Sequence, residues 1–217
     1  MDNARVYRRD LILPVAAIVG VSLLLSGVAF RLARANPHQS PQAEASGKLH
    51  ECASCHGQDG VSSAEIFPNL AGQQKEYIAT QLTAFRDQTR RDRNAKTYMW
   101  GMAAGLSDAT IQALAADYAS KTPAVAVGGD KREIAAGKTI YENGVAAHGV
   151  PACASCHGPK GEGNAAFPAL AGQHKEYLAV QLAALASGAR DNAIMLPIAK
   201  GMTPKQINAV SAYLASW

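Results

Sequence analysis

The sequence predicts an all-α protein assembled from two copies of one small domain, and three observations carry that prediction. "CASCHG" occurs at Cys52–Gly57 and again at Cys153–Gly158. Around these motifs the chain repeats itself: "FPNLAGQQKEYIATQLTAF" at Phe67–Phe85 aligns with "FPALAGQHKEYLAVQLAAL" at Phe167–Leu185, and "MWGMAAGLSDATIQALAADYAS" from Met99 aligns with "MLPIAKGMTPKQINAVSAYLAS" from Met195. Such self-similarity marks a tandem duplication. Alanine-rich segments such as "IQALAADYAS" carry helical periodicity, and no alternating apolar and polar run points to a strand.

Each copy has the same order of elements. A helix runs into the CASCHG motif, a glycine-containing loop leads to Pro68 or Pro168, and a second helix follows from about Lys75 or Lys175. A methionine-bearing loop comes next. The last helix starts after Ser107, with Asp108 in its first turn, and after Thr203, with Pro204 at its first helical position. Both are favourable helix starts. "KTPAVAVGGD" breaks the helical pattern with proline and paired glycines, which sets domain 1 at 47–120, a linker at 121–130 and domain 2 at 131–217.

Ahead of the duplication, Leu11–Phe30 is an uncharged stretch of 20 residues preceded by Arg5, Arg8 and Arg9. It is long enough to span a bilayer as a helix and exceeds the usual signal-peptide apolar core of roughly 7–15 residues. Length favours a retained N-terminal hydrophobic helix in the inner membrane, while the small-x-small form of Ala33-Arg34-Ala35 keeps a cleaved export signal open. Positive flanks stay inside, so either outcome sends the body out of the cytoplasm. Residues 1–35 are thus signal or anchor, and 36–46, "NPHQSPQAEAS", polar and rich in proline and serine, read as a tether.

The formal charge of +4 is an N-terminal property. Beyond the first 35 residues, 16 basic and 15 acidic side chains remain. A body this close to neutral has no phosphate-binding face, which excludes nucleic acid as a partner.

All four cysteines, Cys52, Cys55, Cys153 and Cys156, lie in the two motifs. A histidine directly after each second cysteine is the signature of covalent haem c attachment, whereas a zinc site needs its cysteine pairs roughly 15–20 residues apart. Two haems c are expected, each held by two thioethers, with His56 and His157 as proximal ligands. Aromatic residues make up only 6% of the chain. A haem in each small domain supplies the apolar bulk its side chains lack.

The duplication selects the second axial ligand. A methionine thioether is the common choice in electron-transfer cytochromes, and Met99 and Met195 align with each other, each eight residues before the last helix's cap. Met102 falls opposite Ile198, and Met202 opposite Leu106. These two read as adaptable packing. His50, His148 and His174 have no histidine counterpart in the other copy, so surface or propionate-side places suit them better than ligation. Pro68 and Pro168 are in position to offer a backbone carbonyl to the free ring N–H of the proximal histidines. Tyr77 and Tyr177 recur as propionate contacts or as ordinary packing.

On these residues the sequence resembles the dihaem cytochrome c4 family from Ala45 to Trp217. The resemblance rests on both CASCHG motifs, "FPNLAGQ" and "FPALAGQ", "KEY" followed by "QL", the aligned methionines, and "GVPACASCHG" before the second site. It implies two class I cytochrome c domains related by a pseudo-twofold axis, facing haems, and periplasmic electron transfer toward a terminal oxidase. The insertion between Gly137 and Cys153 also fits that family's second half. Two features stand apart from a plain soluble member: the N-terminal segment, and "FRDQTRRDRNAK", with five basic residues against two aspartates. That loop is either a solvated surface or, through Arg90, Arg91 and Arg93, a docking or propionate-neutralising patch.

With histidine and methionine both on iron, no position is open to substrate, and the expected role is an electron carrier rather than an enzyme. Its partners would be a donor such as a bc1-type complex or a small copper protein, and an acceptor oxidase or reductase. The alternatives are the cytochrome subunit of a periplasmic enzyme such as a flavocytochrome sulfide dehydrogenase, and a dihaem enzyme with exchangeable iron, such as a peroxidase or thiosulfate dehydrogenase.

Overall fold

A computed structural model of the protein describes residues 40–125, 128–165 and 167–217. The expected N-terminal helix lies outside the described residues, and among these no helix is long and apolar enough to cross a membrane. The first half contains α1 (Pro41–His56), α2 (Lys75–Arg86), a π-helical turn at Ala95–Met99, the short α3 (Trp100–Ala103) and α4 (Asp108–Ala119). The second half contains α5 (Lys131–Asn143), a 3-10 turn at Ala146–His148, the short α6 (Ala154–His157), α7 (Lys175–Ser187), α8 (Met195–Lys200) and α9 (Pro204–Ala215). Among the described residues there is no strand, only the bridges Val145 with Val150 and Asn164 with Phe167.

The tether was expected to run to Ser46, but α1 already starts at Pro41. Ser40 caps it by accepting from Ala43 N at 3.2 Å, Pro41 occupies the first turn, and Glu44 follows. A serine cap, a first-turn proline and an early acidic residue are the ordinary start of a helix. Glu44 is also tied inward, accepting from Thr110 Oγ1 at 2.6 Å. Residues 41–46 of the segment read as spacer therefore belong to the first turns of a packed helix.

The two halves present their CASCHG motifs differently. In the first, α1 runs unbroken through Cys52 and Cys55 to His56. In the second, α5 stops at Gly144, the inserted segment closes through Val145 and Val150, and α6 restarts with the motif. Both motif helices end in the same way. Gly57 has φ 78°, and a Cβ there would sit 2.0 Å from Val61 O, so the sixth residue of CASCHG must be glycine to reverse the chain.

Two apolar cores follow the duplication. Ile78, Phe85, Ile111, Leu114 and Tyr118 centre the first, and Tyr141, Leu178, Ile207, Val210 and Leu214 the second. Tyr213 and Trp217 close the second core edge to face, with ring centroids 4.7 Å apart. There α5 and α9 cross at Gly137, where a Cβ would meet Ala209 O at 2.0 Å. The α9 start carries a full capping box, Thr203 with Gln206.

Candidate functional site

One apolar cavity of about 630 Å³ is lined by both halves. From the first half come Cys52, His56, Pro68, Leu70, Leu82 and Met99; from the second come Cys153, Cys156, His157, Pro168, Leu170 and Met195. Of the predicted site residues only Cys55 is not on its wall; it is half-buried, one turn along α1 from Cys52.

The histidines are set in matching fashion. His56 Nδ1 lies 2.9 Å from Pro68 O, and His157 Nδ1 lies 3.0 Å from Pro168 O. A carbonyl can only accept, so each Nδ1 carries the proton and each Nε2 keeps its lone pair. Burial pushes both imidazoles below their ordinary pKa, partly opposed by the proline carbonyls, which keeps them neutral and ready to donate to a metal. Phe67 and Phe167 stand edge-on to their histidines, each with centroids 6.2 Å apart.

Cys52 and Cys153 are not tuned as redox-active thiols. Burial raises Cys52, and it pushes Cys153 up to about 11. Redox-active cysteines show the opposite shift.

The aligned methionines reach the cavity by different local routes. Asn192 Oδ1 accepts from Met195 N at 2.8 Å at the start of α8, while Asp92 Oδ1 accepts from Ala95 N at 3.3 Å. The first half carries four extra residues between this cap and the next one, Asp92 to Ser107 against Asn192 to Thr203. They fall in the segment that forms the π-helical turn ending at Met99. Met202 is packed in the second core and also touches the cavity. Met102, expected as packing, is instead 40% exposed, because α3 is a single turn with one buried residue, Ala103.

Arg90 does not face solvent; it is 8% exposed and joins an internal network that sequence reasoning missed. Its Nε pairs with Asp92 Oδ2 at 2.8 Å, its Nη1 donates to Gln81 at 2.8 Å, and its Nη2 donates to Gln181 at 2.6 Å. Arg190 donates to the same two glutamine oxygens and to Tyr77 Oη at 2.6 Å. Gln81 and Gln181, like Arg90 and Arg190, are separated by 100 residues, and that regular offset was the available signal. Arg91 and Arg93 remain exposed. His174, expected at the surface or beside a propionate, instead places Nε2 3.1 Å from Ser62 O of the other half.

The wall suits a haem in two ways. It is apolar apart from a donor-rich spot at the interface, where Gln181 Nε2 is buried without a partner beside the two guanidiniums. Such a spot accepts anionic groups, and each haem brings two carboxylates. Each half also offers a histidine with a free Nε2 and a methionine.

The cytochrome c family matches residues 44–116 and 134–217. Cytochrome c4 of Azotobacter vinelandii is 41% identical over 79% of this chain and 87% of its own. The chain belongs to the dihaem cytochrome c4 family. The cytochrome c4 structure from Acidithiobacillus ferrooxidans superposes with a TM-score of 0.74 at 41% identity, covering 77% of this chain and 99% of that one. A protein described as a thiosulfate dehydrogenase electron acceptor, from Stutzerimonas stutzeri, is 37% identical over 76% of this chain and 78% of its own. The chain is accordingly an electron-transfer protein with two tandem cytochrome c domains and two covalently attached haems c.

Proposed function

We propose that this cytochrome carries single electrons in the bacterial periplasm between a respiratory donor, such as a bc1-type complex or a small copper protein, and a terminal oxidase or reductase. Cys52 with Cys55 and Cys153 with Cys156 hold the haems; His56 with Met99 and His157 with Met195 ligate them; Pro68 and Pro168 orient the histidines. The haem supplies one-electron iron chemistry. The protein supplies a neutral imidazole fixed through Nδ1, a thioether that favours the reduced state, and an apolar wall that excludes water.

The observation that carries this reading is the pairing of a lone-pair-bearing histidine with a methionine on the cavity wall in each half. Absorption spectra of the oxidised protein test it. The methionine-to-iron charge-transfer band should be present, and neither cyanide nor carbon monoxide should bind rapidly. Prompt binding of either ligand would mean an open iron and a different function.

The Stutzerimonas relative supports a second reading, in which the donor is a periplasmic dehydrogenase that oxidises a sulfur compound. Copurification with such an enzyme, or with a flavoprotein, would favour it over the respiratory chain. Retention of the N-terminal segment as an inner-membrane anchor is proposed from its length alone; intact-mass measurement of the membrane fraction decides between anchor and cleaved signal.

A further inference from the structure

The repeated "AGQ" strings end in Gln73 and Gln173, which are 8% and 6% exposed. Each reaches into the opposite half. Gln173 Oε1 accepts from Asn69 N at 2.9 Å, and its Nε2 donates to Asn69 O at 2.9 Å. Reciprocally, Gln73 Oε1 accepts from Ala169 N at 2.8 Å, and its Nε2 donates to Ala169 O at 2.9 Å. Both carboxamides are held at two points, so their orientation is fixed.

The N–H of Asn69 belongs to the same peptide unit as the Pro68 carbonyl, the group that accepts from His56 Nδ1. The N–H of Ala169 shares its peptide unit with the Pro168 carbonyl, which accepts from His157. A peptide is a resonance unit. Donation from its N–H drives electron density onto its oxygen, and hydrogen bonds in series polarise one another in this way. A more negative carbonyl pulls harder on the imidazole Nδ1–H and makes Nε2 a stronger donor to a metal, as oxygen partners of ligating histidines do.

We propose that Gln173 and Gln73 are positioning residues acting crosswise: Gln173 sets the donor strength of His56 through the Pro68–Asn69 peptide, and Gln73 sets that of His157 through the Pro168–Ala169 peptide. Each half thereby holds down the reduction potential of the other half's haem. This rests on the ligand reading above. A local alternative exists, because each glutamine oxygen also accepts from the next residue of its own half, Gln74 N at 2.9 Å and His174 N at 3.0 Å. A glutamine serving only that local contact would affect its own half.

The test is a redox titration of the holoprotein and its Gln173→Met and Gln73→Met variants, following each haem through the methyl resonance of its methionine. Gln173→Met should favour reduction of the first haem, raising its reduced-to-oxidised ratio at fixed poise on the order of threefold, about 28 mV at 59 mV per decade, with a smaller change at the second. Gln73→Met should do the reverse. Gln173→Glu keeps an oxygen opposite Asn69 N–H and should not raise the first haem. Equal shifts at both haems, a shift confined to the variant's own half, or no shift would overturn the proposal. If one methionine variant fails to hold both haems, the other reads the same relation from the opposite side. Absence of the charge-transfer band in the unaltered protein would instead defeat the ligand reading, so the two failures are distinct.

Discussion

Arg90 and Arg190, counterparts in the two halves, converge on one oxygen: Gln181 Oε1 accepts from them at 2.6 and 2.9 Å. Replacing Gln181 with leucine takes a shared acceptor from two guanidiniums. The expected loss is about 3 kcal/mol, the upper range for an unsatisfied buried donor, read from denaturant unfolding of the holoprotein. A loss near zero would mean that water replaces the amide.

Asp92 is the buried carboxylate of that network, with its side chain 3% exposed. Asp92→Ala leaves Arg90 without its counter-ion and should cost about 3–5 kcal/mol, as for other broken buried pairs. An apolar replacement of both residues should recover much of that, and a double-mutant cycle by denaturant titration checks the recovery.

The same carboxylate predicts an acid limb. Burial would raise its pKa, but the Arg90 guanidinium overrides burial and holds it below the usual range. A carboxyl depressed on folding contributes stability above its unfolded pKa, about 3.9, and loses it as pH falls through the folded value. Asp92→Asn should therefore flatten the decline in melting temperature below about pH 4. An unchanged acid profile would assign that limb to other carboxyls.

Ligand identity separates four methionines. Met99→Ala and Met195→Ala should each remove half of the charge-transfer band and lower the potential of the affected haem. Met102→Ala should change neither, since the side chain lies outside the cavity. Met202→Ala should lower stability by about 2–5 kcal/mol as a core truncation and leave the band intact.

Gly137→Ala tests the helix crossing of the second half. Its Cβ would fall 2.0 Å from Ala209 O, so α5 and α9 must separate. Overpacking of this kind costs about 1–3 kcal/mol, and calorimetry should show the loss. Gly47→Ala, where nothing lies within 4 Å, should be neutral or slightly stabilising.

Much of this was legible in the residues because duplication supplies an internal comparison. Helix starts at Ser107 and Thr203 could be read locally, and aligning the copies picked out Met99 and Met195, which the fold brings with His56 and His157 to one cavity wall. The α1 start was misassigned because composition, proline and serine together, outweighed the capping pattern Ser40-Pro41 that the same residues form. Arg90 sits in a basic run that reads either as solvated surface or as a docking or propionate-side patch; its burial rests on Asp92 and Gln81 of its own half together with Gln181 of the other, a partner far away in sequence. Gln73 and Gln173 repeat visibly, but repetition does not say which half a side chain serves.

A cavity lined from both sides makes each half part of the other's enclosure. Gln81, Gln181, Arg90 and Arg190 form a stretch of the cavity wall to which both halves contribute. Excising either half would remove its share of the wall and expose what remains of the cavity to water. The repeated units are thus mutually dependent: each is part of the other's shelter from solvent.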